Sequence, residues 1–157
     1  MTSPTAPTDN VALTGDAAEA VQDALGAEHA ALWVYGLVSA FLPADFGAAV
    51  QEGSITHRAR RDATELMLNG AGQSPRSAEP AYVTPQPVTD QASAIAVLVV
   101  AEADAAVAWR AVLERTDVKS LRTTALTALT DAAVRATRWR RAAGETPATP
   151  PLPGKPG

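Results

Sequence analysis

The sequence predicts an all-α protein, a four-helix bundle with one long crossover between its second and third helices. Four long stretches carry apolar residues at helical spacing, and many of these residues are alanine, the best helix former. Hydrophobic residues make up 46% of the chain but aromatic residues only 4%, which favours closely packed helices. A proline-rich segment separates the second stretch from the third and divides the chain into two hairpins.

The bundle is predicted to occupy residues 14–142, between a flexible tail at residues 1–13 and a disordered, proline-rich tail at residues 143–157. Thr14-Gly15-Asp16 provides an entry to the first helix, and Pro43 stops it, because proline cannot continue the hydrogen-bond ladder. The four helices are predicted to span residues 15–41, 45–69, 90–115 and 118–142.

Local signals mark the ends of the other three helices. Asp45 can cap the second helix, and Asn69-Gly70 supplies its C-terminal stop. Thr89 or Asp90 can cap the third helix, and Asp117 opens the fourth.

The segment of residues 73–88 determines the topology. Its four prolines forbid a helix, and sixteen extended residues can span roughly 40–50 Å at ~3.3 Å each. A helix of ~25 residues is only about 37 Å long. Helix 3 can therefore run parallel to helix 2, and two tight hairpins joined by such a crossover are the layout of ferritin-like bundles.

Two glutamates interrupt apolar helical stripes. In steps of four and three residues, the stripe that starts at Val21 passes through Glu28, and the stripe that starts at Ile95 passes through Glu102. An unpaired buried carboxylate is costly, so each acid requires a metal ion, a neighbouring cation or a proton.

An internal repeat relates the two hairpins. A shift of 74 residues superimposes the two acids, pairs an aromatic residue with another aromatic residue one heptad later, and aligns polar positions of helices 2 and 4. The superimposed pairs are Glu28 with Glu102, Tyr35 with Trp109, His57 with Asp131, and Arg61 with Arg135.

The chain resembles an alanine-rich, ferritin-like family of actinobacteria that is known mainly as a domain of unknown function. The resemblance covers roughly residues 14–142 and implies a four-helix bundle with no established activity. The segments that carry it are Ala27-Glu28-His29-Ala30-Ala31 with Tyr35, His57-Arg58-Ala59-Arg60-Arg61-Asp62, Pro80-Ala81-Tyr82, Val88-Thr89-Asp90, and Thr130-Asp131-Ala132-Ala133-Val134-Arg135 with Arg138-Trp139.

The ligand pattern of ferritin-like di-iron proteins is only half present. Those proteins place one Glu on each of two helices and a Glu-x-x-His motif on each of the other two. Glu28, Glu102 and His57 match that pattern in type. The remaining positions hold a shortened acid or a residue that cannot bind metal: Ser54, Asp131 and Val134. The pattern therefore argues against a complete di-iron centre.

Two hypotheses remain for the two acids. The favoured one is a non-catalytic domain without a cofactor, in which the degenerate di-metal site is replaced by a buried charge network. Its members would be Glu28, His57, Arg61, Glu102, Asp131 and Arg135. The alternative is an oxidase or metal-handling protein that holds a single Fe, Mn or Zn ion. Its ligands would be Glu28, His57, Glu102 and Asp131.

Composition limits the other function classes. The chain has no cysteine and a net charge of −4, so thiolate sites are excluded and a nucleic-acid partner is not expected. The N terminus has no signal-peptide pattern, and the apolar run of residues 94–101 is too short to span a bilayer, so we expect a cytoplasmic protein without a membrane partner. Helix 3 is apolar nearly all round, which favours burial on two sides. One side can be the bundle core, and the other can meet the proline-rich crossover or a second subunit. Because ferritin-like bundles often pair in this way, we expect a homodimer through the bundle helices.

Overall fold

The computed structural model describes residues 13–156 and contains four α-helices and no strand within them. Each helix has 24 residues, and a short 3₁₀ turn, Ala44–Phe46, precedes the second. The helices are α1 Gly15–Val38, α2 Gly47–Gly70, α3 Gln91–Glu114 and α4 Lys119–Ala142. The predicted all-helical class and helix number are confirmed.

The helix ends differ from the predicted ones by a few residues. α1 ends at Val38 instead of near Phe41, and Asp45 lies in the 3₁₀ turn instead of capping α2. Of the two predicted caps of α3, Thr89 and Asp90, it is Asp90 that caps the helix, through a capping box with Ser93.

The helices contact one another in a defined order. α1 contacts both α2 and α3, and α3 contacts α4. Long side chains join α2 to α4, where Arg60 pairs with Asp131 and Arg138 with Glu52. The two larger clusters of the apolar core lie around Leu25, Leu68 and Leu121 and around Val38, Ile95 and Leu98. Glu28 and Glu102 lie along the helices between these two apolar clusters.

The segment between α2 and α3 follows the surface of α1. Gln22 donates to the Ser74 carbonyl at 2.8 Å, and further along α1 His29 lies 3.0 Å from the Arg76 carbonyl. Beyond these contacts, the Tyr82 ring lies 6.0 Å from that of Trp33. Later residues of the segment therefore meet later residues of α1.

The C-terminal segment lies against α3 and α4, where we expected disorder. The Pro153 carbonyl accepts a hydrogen bond from Arg110 at 3.5 Å. Gly154 has a φ of 75°, and a Cβ there would lie 2.7 Å from the Ala106 carbonyl oxygen. Proline content excludes a helix but does not exclude docking. Of the predicted N-terminal tail, residues 1–12 lie outside the described part of the chain, and Leu13 is buried in the core.

The apolar side chains of α3 are largely covered by other parts of the protein. The length and apolar composition of this helix would suit a membrane span, but more than half of its apolar stretch is buried inside the protein. α1 and α4 cover most of it, and the C-terminal segment covers part of the remainder near Ala106. The described residues thus show no clear membrane-protein character.

Gly53 makes room for an aromatic residue of α1. A Cβ built at Gly53 would overlap the Tyr35 ring, whereas one at Gly36 would meet nothing within 4 Å.

We expect Gly53→Ala to lower the free energy of unfolding by about 1–3 kcal/mol through overpacking. Gly36→Ala should instead raise it by roughly 0.5 kcal/mol, because alanine favours the helix. Urea unfolding of both variants measures this, and equal effects would contradict the packing.

Candidate functional site

A histidine joins the two buried glutamates. His57 Nδ1 lies 2.6 Å from Glu28 Oε2, and His57 Nε2 lies 3.1 Å from Glu102 Oε1. All three side chains are fully buried. They come from three different helices, so the contact exists only when α1, α2 and α3 are packed together.

Aromatic side chains supply further hydrogen bonds to the two acids. Trp109 Nε1 donates to Glu28 Oε1 at 2.6 Å, and the Tyr35 hydroxyl donates to Glu102 Oε1 at 2.5 Å. Trp139 Nε1 in turn donates to the Tyr35 oxygen at 2.9 Å. Tyr35 and Trp109 are equivalent in the internal repeat, and each one contacts the acid of the other hairpin.

Two arginines extend the network to α4. Arg135 Nε donates to Glu102 Oε1 at 2.9 Å. Arg60 Nη2 donates to Asp131 at 2.9 Å, and Arg60 Nη1 lies 3.6 Å from Glu28 Oε1. Five of the six predicted network residues therefore come together.

Arg61 is the sixth predicted residue, and it lies outside the network. It forms an exposed pair with its neighbour Asp62 at 2.6 Å. Arg60 lies on the edge of α2 that faces α4, where Asp131 is. Arg61 lies on the opposite edge, as does Glu65, whose carboxylate is 3.7 Å from His29 of α1. The expected contact of Arg61 with the acids is thus corrected to one of Arg60.

The network stabilises the protonated form of His57. Burial by itself lowers the pKa of its imidazolium, but the hydrogen bonds to Glu102 and Glu28 outweigh burial and raise the pKa above its usual value. Only the imidazolium can donate from both ring nitrogens. Three acids, Glu28, Glu102 and Asp131, then face three cations, His57, Arg60 and Arg135, and the network is neutral.

The network also favours the ionised forms of Glu102 and Arg135 and the protonated form of Tyr35. Burial raises the pKa of Glu102, but His57, Arg135 and Tyr35 outweigh it and lower the pKa of that carboxyl. Burial lowers the pKa of Arg135, and the Glu102 carboxylate more than restores it. The pKa of Tyr35 is raised by burial and by Glu102, so the phenol keeps the proton that it donates.

In this arrangement the four candidate metal ligands, Glu28, His57, Glu102 and Asp131, make contacts with other protein groups. Both nitrogens of His57 contact carboxylates, so neither is a free ligand. Asp131 is bound to Arg60 and its side chain is 44% exposed. Val134 faces outward and is 45% exposed, because α4 turns Arg135 and Trp139 to the core. Within residues 13–156, no group of three or more His, Asp or Glu side chains is placed to hold an ion.

Sequence reasoning missed several hydrogen-bond donors. The predicted network did not include Tyr35, Trp109, Trp139 or Arg60. The internal repeat contained a signal, because both acids are followed one heptad later by an aromatic residue that carries a donor.

Adjacent arginines provide a direct test of the network. We expect Arg60→Gln to lower the free energy of unfolding by about 1.5–3 kcal/mol, because Glu28 and Asp131 lose a charged partner. Arg61→Gln removes only an exposed pair and should cost less than about 1 kcal/mol. Urea unfolding compares the two variants. A larger loss of unfolding free energy for Arg61→Gln than for Arg60→Gln would show that Arg61, and not Arg60, belongs to the network.

The raised pKa of His57 makes stability depend on pH. Its protonation stabilises the fold fully below the unfolded pKa of about 6.5, and this contribution is lost as the pH rises through the higher folded pKa. Unfolding free energies should fall on the alkaline side for wild type and for His29→Gln, but not for His57→Gln. Because His57→Gln can unfold, ¹⁵N shifts of the wild-type ring give a second measurement. A His57 ring that is mostly neutral at about pH 6.5, where an unperturbed imidazole is half protonated, would contradict the network.

Comparisons with known proteins place the chain in a family. Residues 20–157 match the model of a domain of unknown function, DUF4439. The crystal structure of a conserved hypothetical protein, rv2844, from Mycobacterium tuberculosis is similar, with a TM-score of 0.80 and 40% sequence identity. The match covers 88% of this chain and 97% of that one. No curated protein matches. The chain therefore belongs to the DUF4439 family, in agreement with the resemblance to an actinobacterial domain of unknown function.

Proposed function

We propose that this chain is a non-catalytic, ferritin-like domain in which a buried charge network replaces a degenerate di-metal site. The bridge of His57 between Glu28 and Glu102 carries the proposal, since a protonated imidazole supplies the positive charge that two facing carboxylates require. The domain would act as a structural or interaction module, with no cofactor.

The ferritin-like topology is supported by the direction of the helices. Trp109 contacts Glu28 and Tyr35 contacts Glu102, so α1 and α3 run in opposite directions. α1 and α2 form an antiparallel hairpin, in which His57 contacts Glu28 while Tyr35 lies over the earlier Gly53. α2 and α3 are then parallel, and residues 71–90 form the long crossover that such an arrangement needs.

The network's contribution is to fix the arrangement of the helices. A buried ion pair seldom stabilises more than apolar packing would, but removing one partner costs about 3–5 kcal/mol. A helix that shifts along its neighbours would leave a charge of this kind without its partner. We infer that the network selects one register of the four helices.

A single metal ion remains the alternative function. Glu102 Oε2 is buried without a hydrogen-bond partner in the described chain, which leaves one carboxylate oxygen for an ion. Further ligands would require His57 to lose its proton and Asp131 to leave Arg60 and turn inward. The charge network requires none of these changes.

The homodimer, the cytoplasmic location and the absence of nucleic-acid and membrane partners stay predictions. The C-terminal segment bears on the homodimer, because it covers part of the apolar surface of α3 on which that prediction was based.

Elemental analysis of protein purified without chelator tests the proposal. We expect less than one equivalent of iron, manganese or zinc, and a melting temperature that neither EDTA nor these added ions change. His29→Gln controls for ions bound at the other histidine. One equivalent of an ion that persists in His29→Gln and is lost in Glu28→Ala would establish the metal protein instead.

A further inference from the structure

A pocket opens between the beginning of α2 and the end of α4, beside the network. Its volume is about 140 Å³. Phe46 and Trp139 form an aromatic wall with ring centroids 6.0 Å apart, and Ala49 and Ala142 lie near the opening. An engineered cavity of roughly 150 Å³ with apolar walls binds benzene, so a pocket of this size holds about one six-membered ring.

A largely buried arginine of the network also lines the pocket. Arg135 is only 7% exposed, and its Nε is bonded to Glu102. Its Nη2 is buried and has no hydrogen-bond acceptor within residues 13–156. A buried donor of a charged group without an acceptor is costly, and a small acceptor that enters beside Arg135 and reaches Nη2 would remove that cost.

A second arginine lies at the rim. Arg138 forms a pair with Glu52 at 3.3 Å, and the two side chains are 63% and 57% exposed. An exposed pair of this kind contributes little, so Arg138 can exchange Glu52 for another carboxylate at low cost. The pocket therefore presents two guanidinium groups at different depths along an apolar wall.

We propose that this pocket binds a small organic carboxylate whose apolar part is about the size of one aromatic ring. The ring would lie against Phe46 and Trp139, and the carboxylate oxygens would accept hydrogen bonds from Arg135 and Arg138. Arginine suits this role because its planar donors match a carboxylate. The pocket does not depend on whether protonated His57 or a metal ion lies between Glu28 and Glu102. A failure of carboxylate binding would therefore not contradict the function proposed above, and a failure of that function would not contradict carboxylate binding.

Benzoate is the probe, added to the ¹⁵N-labelled full chain. We expect the indole signal of Trp139 to shift, with a Kd of about 1 mM or tighter, as suits a ligand of nine heavy atoms. The indole signal of Trp33, which is outside the pocket, should not move. Benzamide keeps the ring and a carbonyl acceptor but lacks the charge, and it should bind at least tenfold more weakly.

Variants at the rim locate the site without disturbing the network. Arg138→Gln should weaken benzoate binding about tenfold, the effect of losing one charged hydrogen bond. Ala142→Leu should abolish binding by filling the opening. Arg141→Gln, an exposed neighbour that does not line the pocket, is the matched control. The proposal is overturned by a Trp139 signal that benzoate leaves unmoved, by equal binding of benzamide, or by binding that Ala142→Leu leaves unchanged.

Discussion

Two carboxylates share one imidazole at the centre of this protein, and the rest of the structure is arranged around that contact. α1, α3 and α2 supply Glu28, Glu102 and His57, while α4 supplies Arg135, so every helix contributes a charge. Apolar clusters lie on either side along the bundle. Hydrophobic burial is non-directional, whereas the hydrogen bonds and ion pairs of the buried polar layer require specific partners. On our proposal, the apolar layers stabilise the fold and the charges select the register of its helices.

The two halves of the chain are alike in one respect and different in another. The acids and their aromatic donors follow the repeat, since Trp109 donates a hydrogen bond to Glu28 and Tyr35 donates one to Glu102. The second helix of each hairpin departs from it. His57 lies between the acids, whereas its counterpart Asp131 lies at the edge of the bundle. Arg135 likewise contacts Glu102, whereas its counterpart Arg61 pairs with Asp62, so the second helices of the hairpins break the symmetry of the repeat.

The sequence predicted the features that periodicity controls and missed those that depend on side-chain direction. Helix number and the burial of Glu28 and Glu102 followed from long apolar stripes. Arg60 and Arg61 flank the same stripe, and only the position of α4 decides which one points inward. The phase of α4 was equally open, because alanine is tolerated on either face. Proline-rich composition excluded a helix in the C-terminal segment but gave no information about its contacts.

That C-terminal segment changes where the folded unit ends. Helical content alone would place the boundary at Ala142, but Pro153 and Gly154 lie against α3, and the family match extends through residue 157. The close approach at Ala106 leaves no space for a side chain larger than glycine. A protein shortened to its helices would expose alanine-lined surface that the full chain covers, and a fusion partner would have to be attached beyond Lys155.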